Sequence, residues 1–222
     1  MAYDRAYLVG RVQDRLGDDG DDEDIISYIQ TALNDVQAEL CTTYKFTFMQ
    51  DSSTVTLAAD AQTTARPATC LRATGLRIIA PTSPTNYRRD ISDNYMRYNE
   101  FRAKFPYIDG TIDTKGAPFQ WTTFGNNFQF DRVADQSYTL AVDFIKKPTK
   151  MTADGDTPLI PEEFEEIYVL GAIMRLMKRE DDYAPKSQEQ GDYDKRVLQL
   201  VQNYGIGTEP LQPKRMPAAF RR

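Results

Sequence analysis

The chain has 222 residues, of which 41% are hydrophobic, which suits one domain, or one domain with a sizeable insertion, around a real core. It has no histidine, which removes the commonest metal ligand and the usual general base near neutral pH, and so excludes catalysis that depends on imidazole. The net charge of −6 disfavours a non-specific coat on nucleic acid, since such binding is driven by clustered Lys and Arg.

Two cysteines, Cys41 and Cys70, are too few for a disulfide scaffold and have no metal-ligand spacing. We interpret them as reduced thiols in a cytosolic product. No stretch approaches the roughly 20 apolar residues that a bilayer span needs, and the N-terminus lacks a basic start followed by an apolar run. We therefore expect a soluble, unprocessed protein with no membrane partner, and we predict no metal site and no cofactor.

Two amphipathic helices are predicted before residue 42. In the first, within residues 3–16, Leu8, Val12 and Leu16 recur at helical spacing, and Gly17 is expected to end the helix. The second extends from about Asp24 to Cys41 and is long enough to be a main packing element. Its apolar stripe consists of Ile25, Ile29, Leu33, Val36 and Leu40.

The two helices are separated by an acidic run, GDDGDDED, at residues 17–24. A calcium loop of the EF-hand type needs alternating ligands, a glycine at its sixth position and a glutamate at its twelfth, and this run has neither spacing. We favour a solvated turn whose last acids cap the following helix.

Residues 42–150 have mostly β patterns. Phe46 and Phe48 alternate with polar residues before Gln50–Ser53, and Val55 and Leu57 do so after it. This alternation predicts a strand pair around a turn at Gln50–Ser53. Residues 58–69 are small and polar and predict a loop, whereas residues 71–79 predict another strand that prolines at 81 and 84 then break.

The second half of this region contains one helical turn and further strands. Residues 94–106 predict a short strand and a helical turn that starts at Asn99 and stops at Pro106. Residues 118–131 predict an aromatic hairpin whose turn includes Gly125. The stretch at 138–145 alternates cleanly and predicts a strand with one apolar face, formed by Tyr138, Leu140, Val142 and Phe144.

The strongest helix signal is TPLIPEEFEEIYVLGAIMRLMK, residues 157–178. Pro161 suits a first helical position, and four glutamates follow at the positive end of the helix dipole. We expect its apolar residues Phe164, Ile167, Leu170 and Met174 to pack on Ile25, Ile29, Leu33 and Val36 of the earlier helix. A break at DDYAP precedes a last helix over 186–204, which Gly205 ends.

These elements predict an α+β fold in which the N- and C-terminal segments form a helical bundle. Residues 1–41 and 159–205 make the bundle, and residues 42–150 form a β-rich insertion between them. Residues 206–222, with three prolines and no apolar period, are expected to be an extended C-terminal tail that becomes ordered only against a partner.

The glutamates at 162–166 are the one arrangement that could provide paired acids for a hydrolase. Only side chains three or four apart share a helix face, so the pair would be Glu162 with Glu165 or Glu166. Perturbed carboxylates need a cleft that the sequence does not indicate, and acids at a helix N-terminus are favoured for stability. We therefore favour a structural role and predict no catalytic residues.

Two other groups could bind ligands. The aromatic cluster of the hairpin could stack single-stranded bases, but no Lys or Arg is interleaved between 116 and 131, so core or subunit packing is favoured. The members of this cluster are Phe119, Trp121, Phe124, Phe128 and Phe130. Asp154 and Asp156 could bind a cation, but we interpret them first as a turn before Pro158.

The C-terminal tail differs in charge from the rest of the chain. Its basic residues are Lys214, Arg215, Arg221 and Arg222, and its apolar anchors are Leu211, Met216 and Phe220. Two interpretations stay open: a disordered, solubilising end, or a docking segment that folds on binding.

Five stretches follow one another in an order that carries a family resemblance: DIISYIQTALNDVQAEL (24–40) after the acidic turn, YNEF (98–101), GAPFQWTTFGNNFQFD (116–131), YTLAVDFIKKP (138–148) and LIPEEFEEIYVLGAI (159–173). They include a Gly-x-Pro aromatic hairpin, an alternating strand that ends in a proline and an Ile-Pro helix start. In this order and over about residues 5–205, the chain resembles the adaptor proteins of tailed-bacteriophage head-to-tail connectors.

The resemblance implies a non-enzymatic assembly role in the neck of a virion, after assembly in the host cytoplasm. Such proteins form a ring, typically of about twelve copies, under the portal protein, where they prolong the channel for genomic DNA and present a platform to the stopper or tail. It further implies that the bundle builds the ring and that Leu211–Arg222 reaches into the portal. An acidic wall would let DNA slide without sequence-specific binding.

Two other functions remain as alternatives. One is a different tail component, such as a tail-completion or tail-terminator subunit, which would bind the tail tube and ignore the portal. The other is a carboxylate-dependent hydrolase of cell-wall glycan, because two carboxylates suffice for that chemistry without histidine.

Overall fold

The computed structural model describes residues 3–17, 23–81, 89–106, 115–179 and 187–206. Four sequence predictions fall outside these ranges: most of the acidic turn at 17–24, the break at Pro84, the break at DDYAP, and all but the first residue of the tail at 206–222. The chain divides into a helical unit, Met1–Met49 with Pro148–Arg222, and a β unit, Gln50–Lys147.

The fold is α+β, which confirms the predicted class. The described residues contain five α-helices: α1 (Arg5–Leu16), α2 (Glu23–Thr43), α3 (Tyr98–Lys104), α4 (Glu165–Arg179) and α5 (Ser187–Tyr204). They contain seven strands: β1 (Gln50–Leu57), β2 (Thr63–Ala65), β3 (Cys70–Ala80), β4 (Arg89–Asp90), β5 (Trp121–Phe124), β6 (Asn127–Phe130) and β7 (Tyr138–Lys146). No described helix is long and apolar enough to cross a membrane.

The ends of α1 confirm its prediction and show what sets them. The Asp4 side chain accepts a hydrogen bond from the backbone N–H of Tyr7 at 2.8 Å, as an N-cap does. At the other end, Gly17 adopts the left-handed conformation with φ 68°, which a residue without a side chain reaches at no steric cost.

The start of α4 differs from its prediction. Pro161 has extended backbone, ψ 147°, and is followed by a 3-10 turn, Glu162–Phe164, so the α-helix begins only at Glu165. The tighter turn forms because the N–H of Phe164 donates to the carbonyl of Pro161 at 2.9 Å, three residues back. The predicted first helical position is therefore the residue before a short 3-10 entry.

In the helical unit, α4 packs against α1, α2 and α5. The four residues predicted to face the core are buried: Phe164 in the 3-10 turn, and Ile167, Leu170 and Met174 on α4. On α2, three of the four predicted partners are buried, Ile29, Leu33 and Val36, whereas Ile25 near the N-terminus is half-buried. Both apolar stripes are therefore largely buried on two helices that contact each other, and the pairing of individual residues across them stays a prediction.

The β unit contains two antiparallel sheets in the order β1-β7-β3-β4 and β2-β6-β5. Strand β7 is central in the first sheet, and the burial of Tyr138, Leu140, Val142 and Phe144 confirms its predicted apolar face. The hydrophobic side chains of both sheets form one cluster, to which Leu57, Leu76, Ile91, Trp121 and Phe130 also belong. The predicted hairpin is confirmed as β5 and β6, with Gly125 at φ 57° in the turn.

Two predictions before β3 are wrong. No turn occurs at Gln50–Ser53, because β1 continues through it and pairs with β7 from Gln50 to Leu57. Phe46 and Phe48 lie in and beside a 3-10 turn and stack on each other at 4.9 Å, so their alternation reflects ring packing. The predicted loop at 58–69 also contains a strand, β2.

Candidate functional site

Helix α4 approaches both α2 and α5 closely at Gly171. A Cβ atom placed on Gly171 would lie 2.7 Å from Cγ2 of Val36 on α2 and 3.1 Å from Cε2 of Tyr193 on α5. Real Cβ contacts of 2.7 Å essentially never occur, so only glycine allows both helices to stay where they are. The hydrophobic period indicated this face of α4, but it did not reveal the close contact.

A buried polar network on α2 holds the segment that leads into α4. Gln37 is 1% exposed, and its Oε1 accepts hydrogen bonds from the Leu159 backbone N–H at 2.9 Å and from the Tyr168 hydroxyl. Its Nε2 donates to the carbonyl of Thr149 at 2.6 Å. Burial raises the pKa of the Tyr168 hydroxyl well above its usual value, so it remains a donor.

One turn earlier on α2, Asn34 extends the same polar network. Its Nδ2 donates to the carbonyl of Met151 at 3.0 Å, and its Oδ1 accepts from the backbone N–H of Met151 at 2.8 Å. The sequence analysis did not single out Asn34 or Gln37. The signal in the sequence was a pair of amide side chains beside the apolar stripe of a long helix. A buried amide in such a place needs hydrogen-bond partners.

The glutamates around the start of α4 contact α1 and α5. Arg11 pairs with Glu165 at 3.2 Å and with Glu166 at 2.8 Å, and Arg15 pairs with Glu166 at 3.0 Å. The hydroxyl of Tyr204 donates to Glu163 at 2.6 Å. These contacts supply a structural reason for the acids and support the structural interpretation over paired catalytic acids.

The Asp154–Asp156 stretch is a turn, as predicted. Asp156 accepts hydrogen bonds from the backbone N–H groups of Ala153 at 2.8 Å and Thr152 at 2.5 Å, which lower its pKa. Asp154 pairs with Arg5 at 2.5 Å. Among the described residues, no group of three Asp, Glu or Cys side chains could hold a metal ion.

Both cysteines are free and buried, in agreement with the prediction of reduced thiols. Cys41 lies in the helical unit, where burial raises the pKa of its thiol to about 12. Burial also raises the pKa of the Cys70 thiol in the β unit. Neither is in the thiolate form that reacts with electrophiles near neutral pH.

The aromatic hairpin divides into a buried and an exposed set. Trp121, Phe128 and Phe130 are buried, and the Trp121 indole N–H donates to the carbonyl of Ile91 at 2.7 Å. Two members of the cluster are not part of the core, because Phe119 is 39% and Phe124 58% exposed; for them the predicted packing against another subunit stays a prediction. Phe119 precedes β5, and Phe124 is the last residue of that strand, next to the turn.

The exposed aromatic residues have partners that sequence analysis missed. Phe124 stacks on Tyr98 at 4.4 Å, and the guanidinium of Arg89 lies 5.1 Å from the ring centre of Phe119. Tyr95 is 47% exposed and packs edge-on against Trp121 at 4.9 Å. Residues 89–98 therefore supply the cation that the hairpin sequence lacks, together with two further aromatic rings.

Beside this aromatic surface lies a cleft of about 450 Å³. Its walls include two arginines, Arg66 and Arg72, together with Ser92, Tyr95, Trp121 and Thr123. The Nε–H of Arg66 is buried and has no hydrogen-bond partner among the described residues. No sequence pattern predicted this cleft, because its residues come from four separate segments that only the two sheets bring together.

The residues predicted to bind the portal lie outside the described ranges. These are Leu211, Lys214, Arg215, Met216, Phe220, Arg221 and Arg222. Their role stays a prediction from the tail composition and from the family resemblance.

Comparison with known proteins bears on the role of the whole chain. A comparison with curated proteins gave no match. The model of the family described as SU10 adaptor protein matches residues 4–213, which is nearly the entire chain and includes both the helical and the β unit. The chain therefore belongs to the SU10 adaptor protein family, and the predicted resemblance to phage head-to-tail adaptors is confirmed.

Proposed function

We propose that this protein forms a ring below the portal of a tailed phage, where it extends the DNA channel and joins the head to the tail. The observation that carries the proposal is the family match over residues 4–213. Membership of an adaptor family favours a structural component of the virion over an enzyme. The ring would contain about twelve copies, and each subunit interface would be heterologous and close by rotation.

The distribution of charge supports a channel role for the helical unit. This unit contains 15 Lys and Arg residues against 23 Asp and Glu, a net charge of −8, whereas the β unit contains 12 against 10, a net charge of +2. An acidic wall repels phosphate, so DNA passes without being held. We assign the lumen to the helical unit on this basis.

The portal contact is assigned to the tail. Residues 206–222 carry Lys214, Arg215, Arg221 and Arg222 against one acid, Glu209, so the tail is basic while the rest of the helical unit is acidic. A segment with apolar anchors and positive charge suits a groove on a protein partner. The stopper or tail protein would then bind the opposite face of the ring.

The test is association with purified portal particles, followed by light scattering and by the mass of the complex. We expect the isolated chain to be a monomer or a mixture of small oligomers, and the portal to template a ring of about twelve copies. A chain that shows no association with portal particles but binds purified tail tubes would instead be a tail-completion or tail-terminator subunit.

A further inference from the structure

We propose that the cleft between Arg66 and Arg72 receives the acidic run 17–24 of a neighbouring copy of this chain. The inference rests on the proposed ring, because it assigns one contact between adjacent subunits. It concerns the β unit of one copy and a short segment of the next.

The first step is that the cleft is built for an anion. Three cations of the β unit have carboxylate partners within it: Arg77 pairs with Asp143, Lys115 with Asp60 and Arg132 with Asp131. Neither Arg66 nor Arg72 pairs with an acid in the described ranges, although both line the same cleft. The two guanidinium groups that line the cleft therefore suit a carboxylate-bearing partner from outside.

The anion that suits this cleft is a short protein segment and not DNA. Binding to DNA along its backbone needs a continuous basic groove, whereas this cleft offers two guanidinium groups, the Thr123 hydroxyl and the Tyr95 ring. Its Ser92 hydroxyl already donates to Asp90 at 2.5 Å. A short protein segment with closely spaced carboxylates fits such a bounded site. Arginine binds carboxylates with two parallel hydrogen bonds, so neighbouring acids could each engage one arginine.

The segment that fits the cleft best is the acidic run 17–24. The run 17–24 has six acids in eight positions, and no other part of the chain is as acidic. The glutamates of α4 are engaged by Arg11, Arg15 and Tyr204 within the helical unit. A net charge of −8 on the helical unit and +2 on the β unit favours a contact between unlike units of adjacent copies. Such a contact joins two different surfaces, as a heterologous interface does.

The experiment uses Trp121, the single tryptophan of the chain, as a reporter in the cleft wall. A peptide with residues 15–26, RLGDDGDDEDII, is titrated into the full-length protein while the tryptophan emission is followed. We expect saturable binding that weakens as salt rises. A control peptide with Asn and Gln in place of the six acids is expected not to bind.

Variants then locate the binding site. Arg72→Gln, an exposed substitution, and Arg66→Gln are each expected to weaken binding about tenfold, and Arg66→Glu with Arg72→Glu to abolish it. The matched control is Lys115→Gln, which removes one positive charge that is already paired with Asp60. It is expected to leave the affinity unchanged, and circular dichroism checks that each variant is folded.

Three outcomes would overturn the inference. They are no binding of the acidic peptide, binding that the arginine variants do not weaken, and displacement of the peptide by a DNA duplex whose phosphate concentration is lower than the carboxylate concentration of the peptide. A fourth concerns the neighbour. If the peptide binds a variant with Asp18, Asp19, Asp21 and Asp22 changed to Asn much more tightly than the parent chain, at a concentration at which both are monomers, the run occupies its own cleft. Portal association is measured separately, so a failed titration does not contradict the proposed function.

Discussion

Gly171 of α4 and Val36 of α2 approach so closely that a Cβ atom at 171 would lie 2.7 Å from the Val36 Cγ2 atom. The contact joins the N-terminal part of the chain to the segment that follows the β unit. The helical core therefore depends on the absence of one side chain.

We expect Gly171→Ala to lower the free energy of unfolding by about 1–3 kcal/mol, because the added methyl group forces α2 or α5 to move. The matched control is Gly191→Ala in α5, where a Cβ would meet nothing within 4 Å. That change should be neutral or stabilise by up to about 1 kcal/mol through higher helix propensity. Urea denaturation measures both, and equal effects of the two variants would contradict the packing argument.

The network around Gln37 predicts a large effect from Gln37→Leu, a substitution that keeps the side-chain volume but removes its polar atoms. Gln37→Leu leaves the Leu159 N–H and the Tyr168 hydroxyl without an acceptor, so we expect a loss of about 2–4 kcal/mol in unfolding free energy. Tyr168→Phe removes one donor and should cost about 1 kcal/mol. A double-mutant cycle should show coupling between them, and strictly additive effects would count against the hydrogen bond.

Glu166→Gln separates the structural role of the α4 acids from the hydrolase alternative. Glu166 pairs with Arg11 and Arg15, which are half-exposed, so the loss of stability should be about 0.2–1 kcal/mol and should shrink as salt is added. Parent and variant should show no difference in the release of sugars from cell-wall glycan. A hydrolytic activity of the parent that Glu166→Gln or Glu162→Gln erases, without unfolding, would establish the enzymatic alternative.

Asp156 predicts a pH dependence whose sign follows from its lowered pKa. Backbone N–H groups of Ala153 and Thr152 stabilise the carboxylate in the folded state, so its stabilisation is present above the unfolded pKa of about 3.9 and is lost as pH falls through the lower folded pKa. We expect Asp156→Asn to be less stable than the parent at pH 6, with a difference that narrows towards pH 2. Urea titrations at several pH values measure this, and a constant difference would contradict it.

Deletion of residues 209–222 tests the tail assignment. We expect the helix content and the unfolding midpoint of the truncated chain to match those of the parent, since every described helix and strand ends before residue 209. Association with portal particles should be lost in co-sedimentation. A second variant has Gln in place of Lys214, Arg215, Arg221 and Arg222. It tests whether association with the portal particles requires the positive charge of the tail. Truncated protein that still joins the portal ring would show that the tail is not the docking segment.

The sequence by itself determined the helices and most of the strands, because each has a local cause. Gly17 ends α1 through its left-handed backbone, the stripe of α2 follows the helical period, and the alternation of Tyr138, Leu140, Val142 and Phe144 follows the pleat of β7. The same local patterns, in their order, identified the family.

Tertiary structure decided what local patterns do not encode. Alternation at Phe46 and Phe48 looks like a strand, yet the rings stack in a 3-10 turn, and β1 finds its partner in β7 nearly a hundred residues later. Phe124 has the same local pattern as Phe128 but is exposed, because burial depends on what covers a face. The Arg66 and Arg72 cleft and the Gly171 contact arise from residues distant in sequence, so they exist only once the chain has packed.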